Sequence, residues 1–274
     1  MRYLFLLIAC LLPLPVWAAP VVGASTTATT ASDVPGTTLS ANLTCTSDPN
    51  TVLVVVASVR ETDSTAAAIS TLTYGSLTLA NFTTLIQTTE PATGTFSLAV
   101  DVRYAFPGAS CNGTSRAVGV TMTNSLLWGF AAFIVTGVNL TTPFDTAVAN
   151  RSSSAVAPIT GSFTSEVGDL AMGMLTRRNT QTVSSVSPAT DIYTFQAPSA
   201  TGANSVRGLG SWKAGVAGTT TVDWDSGASA QAWLTVGVNV NAATVATPRR
   251  RQTPRYYMQL LPPPINVRMI GNSQ

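Results

Sequence analysis

Apolar and polar residues alternate along much of the chain between residues 36 and 241, and this two-residue period is typical of β-strands. The clearest example is residues 96–106, in which Phe, Leu, Val, Val, Tyr and Phe occupy every second position. The same alternation recurs at residues 118–122, 222–224 and 234–240. Each of these segments is expected to bury one face and to expose the other to water.

A continuous apolar run at residues 53–56, Leu-Val-Val-Val, is instead typical of a central strand that is covered on both faces. Turn-forming pairs such as Pro107-Gly108 and Asn112-Gly113 separate the strand-like segments, and no segment has a convincing helical period. The pattern therefore predicts an all-β fold, a two-sheet antiparallel sandwich that is jelly-roll-like and has about a dozen strands.

The first 18 residues have the pattern of a signal peptide. Arg2 is followed by an apolar stretch to Leu12, and two prolines interrupt any helix. Val16 and Ala18 then place small side chains at the −3 and −1 positions of the predicted cleavage after Ala18. No later stretch is long and apolar enough to form a membrane-spanning helix. We expect a secreted protein of the extracellular space, the cell surface or the periplasm.

The predicted sandwich occupies residues 36–241 and has segments of different composition on either side. Residues 19–35 are rich in Ser, Thr and Ala, which favours a flexible lead-in. Residues 242–274 are rich in Pro and Arg and combine them with Tyr and Leu. This tail lacks any strand or helix period, so it is predicted to be disordered and to stay outside the sandwich core.

Charge is sparse and unevenly placed. The chain has 14 Lys and Arg residues and 12 Asp and Glu residues, and five of the arginines follow Asn241, where there is no acidic residue. The predicted mature body, residues 19–241, therefore carries eight basic and twelve acidic residues. A nucleic-acid partner is not expected, because it would require a basic face on the folded domain. The basic tail would instead contact an acidic surface, such as phospholipid or another copy of the chain.

Two cysteines remain once the leader with Cys10 is removed. An even pair in an exported protein predicts a disulfide between Cys45 and Cys111, and the alternative is two buried free thiols.

The chain contains no histidine. This absence excludes Ser-His-Asp and Cys-His nucleophiles and zinc sites built on imidazole. Asp223 and Asp225 lie two apart on a predicted strand, so both carboxylates face the same side, about 6.5–7 Å apart. That pair is a candidate calcium site, with calcium the one cofactor that the sequence suggests. The alternatives are a solvent-facing strand edge, or the acid and base of an inverting glycosidase.

Trp212 and Trp233 are the candidate ligand-binding aromatics. Trp212 lies beside Gly210 and Lys213 in a predicted loop, and Trp233 is on the opposite face from Leu234. Exposed indole rings of this kind stack on sugar rings, whereas Trp224 belongs to an apolar face and is predicted to be core.

Two longer segments of the chain carry recognisable motifs. Residues 71–79 read Thr-Leu-Thr-Tyr-Gly-Ser-Leu-Thr-Leu, and residues 136–145 read Thr-Gly-Val-Asn-Leu-Thr-Thr-Pro-Phe-Asp. They resemble the S-x-T-Y-G-G-x-x-L hairpin and the S-G-V-[DN]-x-[ST]-T-P-[LF]-D segment of a recurrent β-sandwich module of exported bacterial proteins. Shorter matches follow in similar order at Gly168-Asp169-Leu170, Gly210-Ser211, Trp224 and Trp233. Ser76 stands where the module has a second glycine. The resemblance covers residues 36–241 and implies a jelly-roll-like fold in an extracellular setting, with no assigned activity.

Three functions compete on these observations. The first is a non-enzymatic binding module or adhesin for a surface glycan or matrix component. The second is a structural subunit of an extracellular assembly, in which the chain binds other copies of itself by adding a strand to an open sheet edge. The third, and weakest, is a carboxylate-dependent glycosidase.

Overall fold

A computed structural model describes residues 19–30, 38–61, 67–90, 97–123, 127–155, 159–178, 182–198, 205–225 and 231–243. These residues form sixteen β-strands and two short 3-10 turns. The strands of the first half are β1 Val21–Thr29, β2 Thr38–Thr44, β3 Val52–Glu61, β4 Ile69–Tyr74, β5 Thr83–Glu90, β6 Ser97–Ala105, β7 Ser115–Met122 and β8 Trp128–Thr136. Those of the second half are β9 Val148–Ala155, β10 Ile159–Ser165, β11 Leu170–Arg178, β12 Ser184–Ser185, β13 Thr190–Ala197, β14 Val206–Ala214, β15 Gly218–Asp225 and β16 Gln231–Val240.

The strands form four antiparallel sheets, and the two halves of the chain repeat the same topology. The first half has a five-stranded sheet, β1-β8-β3-β6-β5, and a three-stranded sheet, β2-β7-β4. The second half has β9-β16-β11-β14-β13 and β10-β15-β12. Adding eight to each strand number of the first half gives the second, so each half is an eight-stranded jelly roll. The predicted all-β antiparallel sandwich is confirmed, with four sheets rather than two.

The four sheets stack in layers around three apolar cores. The core between the two five-stranded sheets contains side chains of both halves, including Val54, Phe133, Met172 and Val236. The second core lies inside the first jelly roll and the third, which is smaller, inside the second. We call the core between the two five-stranded sheets the central core. Both five-stranded sheets are therefore covered on both faces.

This stacking explains the apolar run in β3. Val54 and Val56 enter the central core, and Leu53 and Val55 enter the core of the first jelly roll, which confirms the predicted central strand. The prediction for β6 was half right. Its Leu and Val face is buried as expected, but Asp101 on the face predicted to be wet is buried as well, because the β2-β7-β4 sheet covers it. Arg103 donates two hydrogen bonds to this carboxylate.

Polar contacts cross between the stacked sheets at the middle and at both sides. In the middle, the Thr176 hydroxyl donates to Ser58 Oγ at 2.7 Å, and both side chains are buried. At one side Ser25 of β1 donates to the Ile192 carbonyl of β13 at 3.0 Å. At the other, Arg151 of β9 donates to the Thr89 carbonyl of β5 at 2.7 Å. The two halves are thus joined along their full width.

The N-terminal segment differs from its prediction. Residues 19–35 were expected to form a flexible lead-in, but residues 21–29 form β1, which pairs with β8 from Val21↔Thr136 to Thr29↔Gly129. The strand carries mostly small and hydroxyl side chains, and it forms because its backbone pairs with that of β8. Composition alone does not reveal such pairing. The predicted lead-in is wrong for these residues.

At the other end the order extends slightly beyond Asn241. Ala242 and Ala243 are buried, and Ala242 forms a bridge with Val138. The predicted signal peptide and the tail from residue 244 onward lie outside the described residues. Within the described part of the chain, no helix has the length and apolar character needed to cross a bilayer.

Candidate functional site

The segment between the two jelly rolls, residues 137–147, runs across the end of β16. We call it the strap. Isolated bridges fix it at Val138↔Ala242 and Phe144↔Val240. The Asn139 side chain shapes its turn by accepting hydrogen bonds from the backbone N–H groups of Thr141 and Thr142 at 3.0 and 3.3 Å. The strap thereby positions two neighbouring side chains, Phe144 and Asp145, at this end of the molecule.

Phe144 belongs to an aromatic cluster at the end of the central core. Its ring lies 4.8 Å from that of Tyr104, and Tyr104 makes an edge contact with Phe106 at 6.1 Å and 80°. Tyr104 and Phe144 are half-buried, whereas the Phe106 side chain is 44% exposed. We call these three residues the aromatic cluster. The exposed Phe106 ring is therefore joined to the central core through Tyr104 and Phe144.

Asp145 belongs to a second group of side chains, a polar cluster at the end of β16. Its Oδ2 accepts from Asn239 Nδ2 at 3.1 Å, and its Oδ1 from Asn241 Nδ2 at 3.0 Å. Asp169, in the turn before β11, accepts from the same Asn239 Nδ2 at 2.8 Å and from the backbone N–H of Ala242 at 2.8 Å. We call Asp145, Asp169, Asn239 and Asn241 the polar cluster.

The sequence did not point to either cluster as a site. Asp145 and Asp169 follow Pro and Gly in turn-like segments, where carboxylates are common. The available signal was on β16, where Asn239 and Asn241 occupy alternate positions at the end of an apolar strand.

Trp212 and Trp233, predicted as ligand-binding aromatics, both lie on strands and are half-buried. Trp212 lies within β14 rather than in the expected loop, and it packs against the central core. It holds the place that Tyr104 holds in the first half, since the two pair with Met172 and Val54, the third residues of the equivalent strands β11 and β3. Trp233 packs against the core of the second jelly roll, and its Nε1 is buried without a hydrogen-bond partner.

Asp223 and Asp225 lie on β15 as predicted, with Val222 and Trp224 buried on the opposite face. Asp225 is exposed, and Asp223 is half-buried and accepts a hydrogen bond from the Thr221 hydroxyl at 3.3 Å. Within the described residues no third acidic residue, histidine or cysteine joins them in a group that could hold a metal. The calcium assignment of this pair stays a prediction.

The disulfide between Cys45 and Cys111 is confirmed. The two Cα atoms are 4.7 Å apart, and both side chains are buried in the core of the first jelly roll. The bond joins the end of β2 to the turn between β6 and β7. It is a structural element and takes no part in either cluster.

No protein-family model, curated protein or solved structure matches this chain.

Proposed function

We propose that the protein is an exported, non-enzymatic binding module or adhesin for a surface glycan or matrix component, with the aromatic cluster as its stacking surface. The observation that carries the proposal is the exposed ring of Phe106, which makes an edge contact with Tyr104, whose ring in turn contacts Phe144. Sugar rings bind through their apolar faces to such rings and through their hydroxyls to nearby polar groups.

This proposal relocates the binding surface from the two tryptophans that the sequence suggested. A platform for a sugar needs a ring with a free face, and both tryptophans pack against apolar cores. Phe106 follows the last residue of β6, so its exposure is the result of its position beyond the covered part of the sheet.

The test is binding of the mature protein to a broad glycan and matrix panel, compared among three variants. Phe106→Ala is expected to lose binding at least about tenfold, in line with the loss of one stacked aromatic ring at an interface. Val186→Ala, which truncates an exposed apolar side chain in the second half, is the matched control and should bind normally. Loss in Trp212→Ala but not in Phe106→Ala would move the site to Trp212. Absence of binding by the unmodified protein would reject the proposal.

A second candidate is a structural subunit of an extracellular assembly. The observation that favours it is β1, a mostly exposed edge strand, which among the described strands pairs only with β8. An edge strand near a chain end can leave the β8 of its own copy and pair with the β8 of a neighbouring copy. Such exchange builds dimers or filaments. Light scattering and electron microscopy over a range of concentrations test this function. Monodisperse monomers at every concentration would exclude it.

A further inference from the structure

The polar cluster contains two carboxylates that no cation neutralises among the described residues. One oxygen of each is held by a fixed donor, Asn241 Nδ2 for Asp145 and the Ala242 N–H for Asp169. The second oxygens of both converge on one neutral atom, Asn239 Nδ2. Neither carboxylate forms an ion pair with a lysine or arginine of the described chain. Two like charges held at one point are unfavourable unless a positive charge lies between them.

The amide of Asn239 is the second observation. This side chain is only 1% exposed, yet its Oδ1 has no hydrogen-bond partner. Its Nδ2 carries two hydrogens but lies within 3.1 Å of three oxygens, those of Asp145, Asp169 and Asn241. The buried amide therefore has three acceptors for its two N–H groups and no donor for its oxygen.

A half-turn of this amide about its terminal bond places its oxygen where its nitrogen lies, since the two ends have nearly the same shape. That oxygen would then face Asp145 Oδ2, Asp169 Oδ2 and Asn241 Oδ1, at the 2.8–3.1 Å that now separate them from Nδ2. Such spacing is close to that of adjacent oxygens around a calcium ion, which binds 6–8 oxygens at about 2.3–2.6 Å. All three of these neighbours are acceptors, so the turned oxygen would have a partner only if a cation lay between it and them.

The fold itself does not require these polar groups. Asn239 pairs with Ala171, the second residue of β11, and the equivalent position in the first half is Ile134, which pairs with Leu53, the second residue of β3. Ile134 is buried and apolar. The repeated topology thus accommodates a hydrocarbon side chain at the position that Asn239 occupies.

We propose that Asp145, Asp169, Asn239 and Asn241 bind a calcium ion. All four supply hard oxygen donors, which favours calcium over zinc or copper. Asp145 is exposed, so water can reach the ion and complete its coordination. The ion would hold the strap against the ends of β11 and β16. The site differs from the Asp223–Asp225 pair suggested by the sequence, and it does not depend on glycan binding by the aromatic cluster.

The test is calorimetric titration of the chelator-treated mature protein with calcium chloride. We expect one ion per chain and a Kd on the order of 10⁻⁴ to 10⁻³ M, the range of extracellular modules, together with a calcium-dependent rise in Tm. Asp145→Asn combined with Asp169→Asn should abolish both signals. Asp48→Asn combined with Glu166→Gln, which changes two exposed carboxylates outside the cluster, is the matched control and should leave both signals unchanged. Asp223→Asn combined with Asp225→Asn removes the competing calcium site that the sequence suggested, and it too should leave both signals unchanged.

Asn239→Asp keeps the test decisive if the double variant fails to fold. A third carboxylate should strengthen calcium binding by roughly tenfold or more and make folding more dependent on calcium. If the cluster is only a hydrogen-bonded network, this substitution destabilises the protein equally with and without calcium. Three results would overturn the proposal. They are equal destabilisation with and without calcium, loss of binding in the Asp223 and Asp225 variant, and absence of any heat or Tm change at about 10 mM calcium, well above the expected Kd.

Discussion

At the scale of single residues, buried polar groups are what make this fold specific. Trp224 is fully buried between the sheets of the second jelly roll, and its Nε1 donates to Ser211 Oγ at 3.0 Å. Ser211 in turn donates to Asp191 Oδ1 at 3.1 Å. Gly173 leaves room for the indole, because a Cβ there would lie 2.7 Å from the ring. The Ser211 hydroxyl therefore helps to orient Trp224, the largest side chain of this core.

Ser211→Ala is expected to destabilise the protein by about 1–3 kcal/mol, because the buried indole N–H loses its acceptor. Urea unfolding of the variant measures this directly. Trp224→Phe combined with Ser211→Ala serves as the control, since without the indole the loss of the hydroxyl should cost much less. Equal costs in the two backgrounds would show that the hydrogen bond does not stabilise the fold.

At the scale of elements, the strands fall into two classes, those with one face covered by another sheet and those with both faces covered. β3, β8, β11 and β16 are buried on both faces within their cores, whereas β15 buries Val222 and Trp224 and presents Asp223 and Asp225 outward. The outer three-stranded sheets therefore keep the alternating pattern that the sequence suggested. The inner sheets conceal it, because Ala, Ser and Gly are small enough to be buried on the nominally polar face.

The Cys45–Cys111 disulfide connects elements that are 66 residues apart in the chain. Replacing both cysteines by alanine should lower the free energy of unfolding by about 4 kcal/mol, since a cross-link of this span restricts the unfolded chain. Denaturant unfolding gives the value, and alkylation without reductant should leave the mass of the unmodified protein unchanged. Two alkylated thiols, or a variant as stable as the parent, would contradict this expectation.

At the scale of the whole molecule, two jelly rolls share a central core and act as one folding unit. The hydroxyls of Ser58 and Thr176, each the seventh residue of its central strand, meet across that core at 2.7 Å. Apolar contacts supply most of the attraction between the sheets, and this pair fixes their register. Both halves should therefore unfold in a single transition.

Removing one hydroxyl of this pair leaves the other buried without a partner. Ser58→Ala and Thr176→Val should each cost about 1–3 kcal/mol, and the double variant should cost clearly less than the sum. A double-mutant cycle by urea unfolding provides the measurement. The pair Thr38 and Thr121, exposed on an outer sheet and 3.2 Å apart, is the matched control and should show little coupling. Additive effects at Ser58 and Thr176 would refute the role given to them.

A pH effect is expected at the side where the halves meet. Burial raises the pKa of Glu90 above its ordinary value of 4.5, and the nearby charge of Arg151 offsets this only in part. The folded state then holds the proton more tightly than the unfolded state, so stability falls as pH rises from about 4.5 through the raised pKa. Glu90→Gln, which stays neutral, should gain stability relative to the parent over that range.

Denaturation midpoints of both proteins between about pH 4 and pH 8 measure the effect, with Glu166→Gln as a control at an exposed carboxylate. A stability difference between Glu90→Gln and the parent that shrinks as the pH rises would mean that Arg151 outweighs burial.

The sequence by itself determined the local features of this protein. Alternation specified the strands, the continuous run at residues 53–56 specified a strand covered on both faces, and the two cysteines specified a disulfide. Each of these follows from the chemistry of neighbouring residues or from a simple pairing. The tertiary structure alone decided what depends on distant parts of the chain meeting.

The repeat of eight strands was invisible because equivalent positions, such as Ile134 and Asn239, carry unrelated side chains. Residues 21–29 became a strand only because β8 offers them an edge. The polar cluster joins Asp145, Asp169 and Asn239, which are up to 94 residues apart, and no local pattern relates them. Side-chain chemistry over short distances can be read from the chain, whereas the convergence of loops is set by how the sheets stack.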